Sequence, residues 1–374
     1  MDARTLEPLP YARRLADCLA EHEPALWARL TAPEGRVAAS ERARLELLRD
    51  AADWEDGGEA AVNEEAEQAK RALGLESLPV VMYRSVGEAP SGARLVYLPE
   101  AAHLVLDPVM TLALEPEQRV AIFGRELARH LLLTVEDGRY GALEGLAPQV
   151  SDRVQLDAAQ ERTIQRLHVF QELFCDRGAA LAAGSAEAAL GLIDQADAGS
   201  GGLRKQALEL WWDEGTGAER QVAELVKGEL DLDALDYVDQ VELQGLTRRW
   251  LALVVQPAWM RSDPILGHCR QMFPGFAGGP LPEEEDVDDS LVMAEVRGTL
   301  PQLEPYWVSL LLDLAVADGA LGDAALVRGM QVADGAGLRD ELETMAREEL
   351  GLGVQLVQDL WRDREALIAA KEQG

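Results

Sequence analysis

Cysteine is scarce in this chain of 374 residues: Cys18, Cys175 and Cys269 are scattered and odd in number. No Cys-x-x-Cys pair occurs, which excludes a cysteine zinc site and a disulfide framework and fits a reducing compartment. Basic residues are also few, 35 Lys and Arg against 67 Asp and Glu, for a formal net charge of −32. A field of that sign repels phosphate backbones and anionic lipid surfaces, so nucleic acid and membrane surfaces are excluded as first partners. Long apolar runs are missing too. The best candidates, "WLALVV" from Trp250 and "VSLLLDLAVADGAL" from Val308, fall short of about eighteen uncharged residues or carry aspartates, so no membrane insertion is expected. The opening residues show no apolar stretch behind a basic start, and the expectation is a cytoplasmic protein. Neither Gly-x-Ser-x-Gly nor Gly-x-x-x-x-Gly-Lys-Ser/Thr occurs, which removes a hydrolase elbow and a P-loop, and the glycines of "DAGSGG" sit in a polar loop behind no strand.

What is present suffices for buried cores, because 48% of the residues are hydrophobic. From Tyr11 to Leu73 apolar residues recur at helical spacing, as at Leu45, Leu48, Ala51 and Ala52, with an acidic loop at "DWEDGGEAAVNEE". The runs "LPVVMYRSV" and "ARLVYLPEAAHLVLDP" alternate and end in Gly, Ser or Pro, which predicts two or three strands of one small sheet. An apolar helix is predicted over Val120–Val135, opened by "LEPEQR" with Pro116 near its first turn, and a second over Ala158–Ala183, stopped by Gly184. The tandem Trp211 and Trp212 read as packing residues in a more polar helical region. The stretch "FPGFAGGPLPEEEDVDDS" has no periodicity and reads as a linker. The expected division is therefore 1–275, an acidic Gly/Pro linker 276–290, and a helical domain 291–374.

The chemistry concentrates in "AIFGRELARHLLL", Ala121–Leu133. A zinc peptidase carries His-Glu-x-x-His on such a helix, because residues four apart share a face, two imidazoles ligate one ion, and the glutamate polarises a water. This chain reads Arg125-Glu126-Leu127-Ala128-Arg129. Together with "FQELFCDRGAALAAG", Phe170–Gly184, the motif resembles the HtpX kind of zinc metallopeptidase, family M forty-eight, whose pattern is His-Glu-x-x-His followed by Glu-x-x-x-Asp. The resemblance covers roughly residues 67–272. It implies an α+β, predominantly helical fold with a gluzincin-like core and a small sheet, followed by an all-α domain. It places Arg125 and Arg129 where zinc-binding histidines stand, Glu126 where the catalytic base stands, Glu172 at the third ligand and Asp176 at a supporting carboxylate. A later His-Pro and arginine of the family correspond to Asp263-Pro264 and Arg270 here.

Guanidinium keeps its proton and has no lone pair for a metal, so the expectation is no catalytic residue, no metal and no cofactor. Two arginines would instead supply the charge that zinc supplies, facing Glu126, Glu172 and Asp176 in an ion-pair clasp between the two helices, with Arg129→Ala far more damaging than a surface change. An alternative is an active metal-dependent hydrolase with a shifted ligand set, Glu126 with His130 and His168 with Glu172, each pair four residues apart. Against it, His130 lies one residue beyond the old ligand row, a rotation of about 100°. The other histidines, His22, His103 and His268, form no set.

Towards the C-terminus, "LLLDLAVADGALGDAALVRGMQVADGAGL" is similar to the TerB-like helical module. That resemblance implies protein contacts or metal binding through Asp313, Asp318 and Asp323; read locally, Asp318-Gly319 is a turn and Asp323 a helix cap. The sequence thus points to a catalytically inactive metallopeptidase-like protein working as a protein-binding, scaffold or regulatory module, and it assigns neither a partner nor an oligomeric state.

Overall fold

The computed structural model describes residues 6–54, 60–86, 92–146, 157–196, 201–227, 235–277, 288–299, 301–319 and 322–372. They form two compact units, Met1–Val238 and Asp239–Gly374.

In the first unit the helices are α1 (Pro10–His22), α2 (Pro24–Leu30), α3 (Pro33–Asp50), α4 (Ala60–Ala72), α5 (Pro108–Ala113), α6 (Pro116–Glu144), α7 (Ala158–Ala183), α8 (Ala186–Ala196), α9 (Gly201–Glu214) and α10 (Glu219–Lys227). Proline opens α1, α2, α3, α5 and α6, where its fixed φ suits the first turn and its missing N–H loses no helical bond. The strands are β1 (Ala51–Asp53), β2 (Val80–Ser85), β3 (Ala93–Leu98) and β4 (Ala101–Leu106), in the order β1-β2-β4-β3. β3 and β4 form an antiparallel hairpin pairing Leu98 with Ala101, β2 runs parallel to β4, and β1 is antiparallel to β2. The predicted strands are thus present. β1 was not legible, because three residues, "AAD", are too few to show alternation, and it interrupts the expected helical opening.

α7 has the bounds its periodicity predicts. Asp157 caps it through the Gln160 amide at 2.8 Å, and Gly184 ends it at φ 66°, a left-handed position that suits glycine. α6 runs further than predicted but is broken at Val135–Gly138, where Glu136 and Asp137 adopt φ of 50° and 58° and Gly138 follows at 77°. Two consecutive non-glycine residues in the left-handed region carry strain.

α6 and α7 approach closely enough that only small residues fit between them. A Cβ on Gly124 would lie 2.2 Å from Ala182 Cβ, and one on Gly178 would lie 2.2 Å from Ala128 Cβ. Each helix thereby brings a Gly/Ala pair, four residues apart, to the crossing. Around it lies the core of this unit, with Leu104, Leu106, Phe123, Leu127, Ala179 and Trp211 all buried.

In the second unit α11 (Tyr237–Val254), α12 (Asp263–Met272), α13 (Asp289–Arg297), α14 (Glu304–Ala317), α15 (Asp323–Ala336), α16 (Arg339–Leu350), α17 (Val354–Arg362) and α18 (Arg364–Glu372) follow. Trp250 and Trp307 are fully buried against each other, with ring centroids 6.3 Å apart and the Trp250 indole N–H donating to the Trp307 carbonyl at 3.3 Å. Arg328 donates to the carbonyls of Leu253 and Val254 at 2.7 and 3.3 Å. These contacts group α11 with the C-terminal helices, and the compact units divide at Val238/Asp239 and not at the expected 276–290 segment. Composition marks a Gly-, Pro- and acid-rich stretch there, whereas core partnership decides the division. Residues 278–287 of that segment lie outside the described residues. Asp323 is the first residue of α15 and Gly322 stands at its cap position, in place of the expected aspartate cap. Among the described residues, no helix is long and apolar enough to cross a membrane.

Candidate functional site

Residues four apart on a helix share a face, and the α6/α7 crossing turns the 125/129 face of α6 toward the 172/176 face of α7. The Arg125 guanidinium spans both carboxylates of α7: Nη1 donates to Asp176 Oδ1 at 2.7 Å and Nη2 donates to Glu172 Oε2. Arg129 Nη2 donates to the other oxygen of Glu172 at 2.6 Å. Glu126 stands beside both arginines, 3.9 Å from Arg125 Nε and 4.0 Å from Arg129 Nε, and its Oε2 accepts the Leu95 amide of β3 at 2.8 Å. The structure therefore brings Arg125, Glu126, Arg129, Glu172 and Asp176 into one cluster.

A sixth member comes from α9. Arg204 Nε and Nη2 donate to the two oxygens of Asp176, both at 2.8 Å, and Nη2 lies 3.6 Å from Glu172 Oε2. Three guanidinium groups thus meet three carboxylates. Sequence reasoning missed Arg204, although a signal existed: it shares the stripe of Ala207, Leu208 and Trp211 at helical spacing, and a charge on an otherwise apolar stripe needs a buried partner.

Burial is uneven across the cluster. Arg125, Glu126, Glu172, Asp176 and Arg204 are buried, while the Arg129 side chain remains 30% exposed. The weight of the clasp therefore falls on Arg125 and Arg204, and Arg129 contributes less than its position in the motif suggested. Burial alone would lower the Arg125 pKa, but Asp176 and Glu172 outweigh it and hold the guanidinium above its ordinary value. Burial likewise pushes the Glu172 carboxyl up, and Arg125 and Arg129 outweigh it, bringing it to about 2. The Cys175 thiol next in sequence is pushed up to about 12 by burial, so it is an inert thiol at neutral pH.

The shifted ligand set does not converge. His168 is exposed on α7, whereas His130 is 3% exposed and packs its ring 5.4 Å from Tyr97 of β3. The one-residue step past Arg129 rotates His130 away from the α7 carboxylates and toward the sheet. Among the described residues, no three His, Cys, Asp or Glu side chains are placed to hold one ion. The same holds for Asp313, Asp318 and Asp323 in the second unit, where Asp313 instead lies 4.0 Å from His268 Nε2. Asp263 and Pro264 form the first turn of α12, and Arg270 Nε donates to the Phe276 carbonyl at 3.1 Å.

His130 has a separate consequence. Its Nδ1 lacks a hydrogen-bond partner among the described residues, and desolvation, with His103 adding to it, lowers its pKa to about 4. Because the folded pKa lies below the unfolded value near 6.5, the unfolded chain binds a proton between those values that the folded chain does not. Stability should therefore fall as pH drops from above about 6.5 toward 4, by up to about 3 kcal/mol. Glu172 titrates in a lower window, since its depressed pKa withdraws stability only as pH falls from about 4.5 toward 2. Urea denaturation at pH 7 and pH 4.5 separates the two: His130→Phe should flatten the difference, and an unchanged difference would assign the sensitivity elsewhere.

No protein-family model, no curated protein and no solved structure matches the chain.

Proposed function

We propose that this chain is a catalytically inactive, metallopeptidase-like protein of the cytoplasm that acts through protein contacts as a scaffold or regulatory module, its TerB-like helical unit adding a further contact surface. The observation that supports this reading is the Arg125 guanidinium lying between Glu172 and Asp176, with Arg129 on the free oxygen of Glu172. These are the motif positions at which the resemblance expects zinc ligands and their supporting acids. A guanidinium has donors only, so the group does not fit zinc, and its charge already satisfies the carboxylates that would face the ion. Glu126 is likewise occupied by the Leu95 amide and flanked by two cations, an environment that holds a carboxylate in place and leaves it no metal-bound water to polarise. Catalysis of the metallopeptidase type is lost on this reading, while the helix pair and the sheet beside it keep their packing.

Zinc content tests it. The parent chain, dialysed against zinc without a histidine tag, should be empty, and the Arg125→His/Arg129→His variant should hold about one zinc per chain. In that variant Arg204 still neutralises Asp176 and leaves Glu172 free to ligate. A parent that carries about one zinc and loses it on Glu172→Ala would overturn the proposal in favour of a metal-dependent hydrolase.

A further inference from the structure

An open cavity of about 570 Å³ lies beside the break in α6, walled by α2, α3, the end of β3 and the residues after Leu133. Its charges run against those of the chain. Arg29, Arg36 and Arg42 border it together with Asp137 and Glu144, giving one net positive charge in a protein of formal charge −32. All three arginines are exposed, and among the described residues none of them forms an ion pair. Arg36 Nη1 reaches only the Asp137 carbonyl at 3.1 Å, and Arg42 Nε reaches only the Ala38 carbonyl of its own helix at 3.4 Å. Where acids outnumber bases nearly two to one, three arginines on one cavity with no ion pair among the described residues are unexpected.

The wall that Arg36 touches is partly apolar and strained. Tyr97 and Leu133 supply its apolar surface, and the left-handed Asp137 and Gly138 form its turn. Glycine suits position 138 by its φ of 77°, and a Cβ there would make a tight 3.2 Å approach to the Leu133 carbonyl. The strain is held in place by neighbours: Tyr140 OH donates to Glu136 Oε1 at 2.8 Å, and Arg13 Nη2 donates to the same oxygen at 3.3 Å. Backbone held in a sparsely populated conformation is a feature that clusters at ligand sites.

The geometry points to a binding site for a small organic anion, a carboxylate or phosphate carried on an apolar body. The guanidinium groups of Arg29, Arg36 and Arg42 take the acid and the Tyr97/Leu133 wall takes the body. This site stands independently of the metallopeptidase reading, because it uses none of the clustered residues between α6 and α7.

Thermal unfolding of the full chain tests it with two arms of probes at millimolar concentration, benzoate and octanoate in one, phenyl phosphate and octyl phosphate in the other. Neutral benzamide and octanamide serve as controls. At least one anionic arm should raise the melting temperature while the amides do not, and the arm that does so names the acid. Calorimetric titration of that probe into Arg29→Gln/Arg42→Gln should show binding weakened about tenfold or more. This variant leaves the Arg36 bond to the Asp137 carbonyl intact, and its melting temperature without probe should match the parent's. An absence of any shift in both arms, an equal shift with the amides, or full affinity in the double variant would each overturn the assignment.

Discussion

Asp176→Ala should destabilise the first unit by about 3–5 kcal/mol, the range expected when one partner of a buried ion pair is removed. Asp176 is 2% exposed and carries both Arg125 and Arg204 on its two oxygens. Without it Arg204 keeps Glu172 at 3.6 Å, Glu172 must answer three cations, and the charge of the cluster no longer balances. The comparison is an exposed pair such as Arg220 with Glu224, whose loss should change stability by less than about 1 kcal/mol. Denaturant unfolding of the three proteins decides the matter, and an Asp176→Ala chain as stable as its parent would show that the cluster does not hold the helices. A buried ion pair need not exceed an apolar replacement in net stability, because desolvation offsets much of its Coulomb gain. Arg125→Met/Asp176→Leu should therefore recover much of the loss, leaving Arg204 and Arg129 with Glu172.

Gly178→Val should be at least as damaging, for a steric reason. Even the Cβ of alanine would meet Ala128 Cβ at 2.2 Å and the Gly124 carbonyl at 3.1 Å, so α6 and α7 must move apart. Overpacking of this kind costs roughly 1–3 kcal/mol by itself, and separation of the helices also lengthens the Arg125 bonds to Glu172 and Asp176, adding to the loss. Gly245→Ala in α11 provides the opposite sign: its Cβ would meet nothing within 4 Å, and helix propensity alone predicts a gain of roughly 0.5–1 kcal/mol. Melting curves of the two variants should move in opposite directions. A Gly178→Val chain that unfolds with its parent would mean that the crossing tolerates wider spacing.

The helix crossing is what makes the charged cluster possible. Arg125 reaches Glu172 and Asp176 across helices whose backbones meet at glycine, and a larger residue at 124 or 178 would hold the guanidinium away from its acids. The small residues beside the arginine and the aspartate are thus positioning features of the same site, and the sequence pattern drew attention only to the charged ones.

Local signals determined much of this fold. Asp157, Gln160 and Gly184 fix the ends of α7 through capping chemistry that acts within one turn, and the short apolar runs "ARLVYL" and "AAHLVL", parted by Pro99 and Glu100, form the β3/β4 hairpin. The four-residue spacing of Arg125 with Arg129 and of Glu172 with Asp176 placed each pair on one helix face, which was enough to expect opposed charges. The composition alone set the sign of the field around the molecule. Other features depended on residues distant in the chain. Arg204 joins Asp176 from another helix, His130 turns to Tyr97 because one residue of helix rotates it from the α7 face, and the cavity beside Arg29, Arg36 and Arg42 exists only where α3 passes the break in α6. The division at Val238/Asp239 likewise follows from Trp250 on Trp307 and not from composition. Helical phase and capping are encoded within a few residues, whereas which face meets which, and which charge finds a partner, is decided only when separate helices pack.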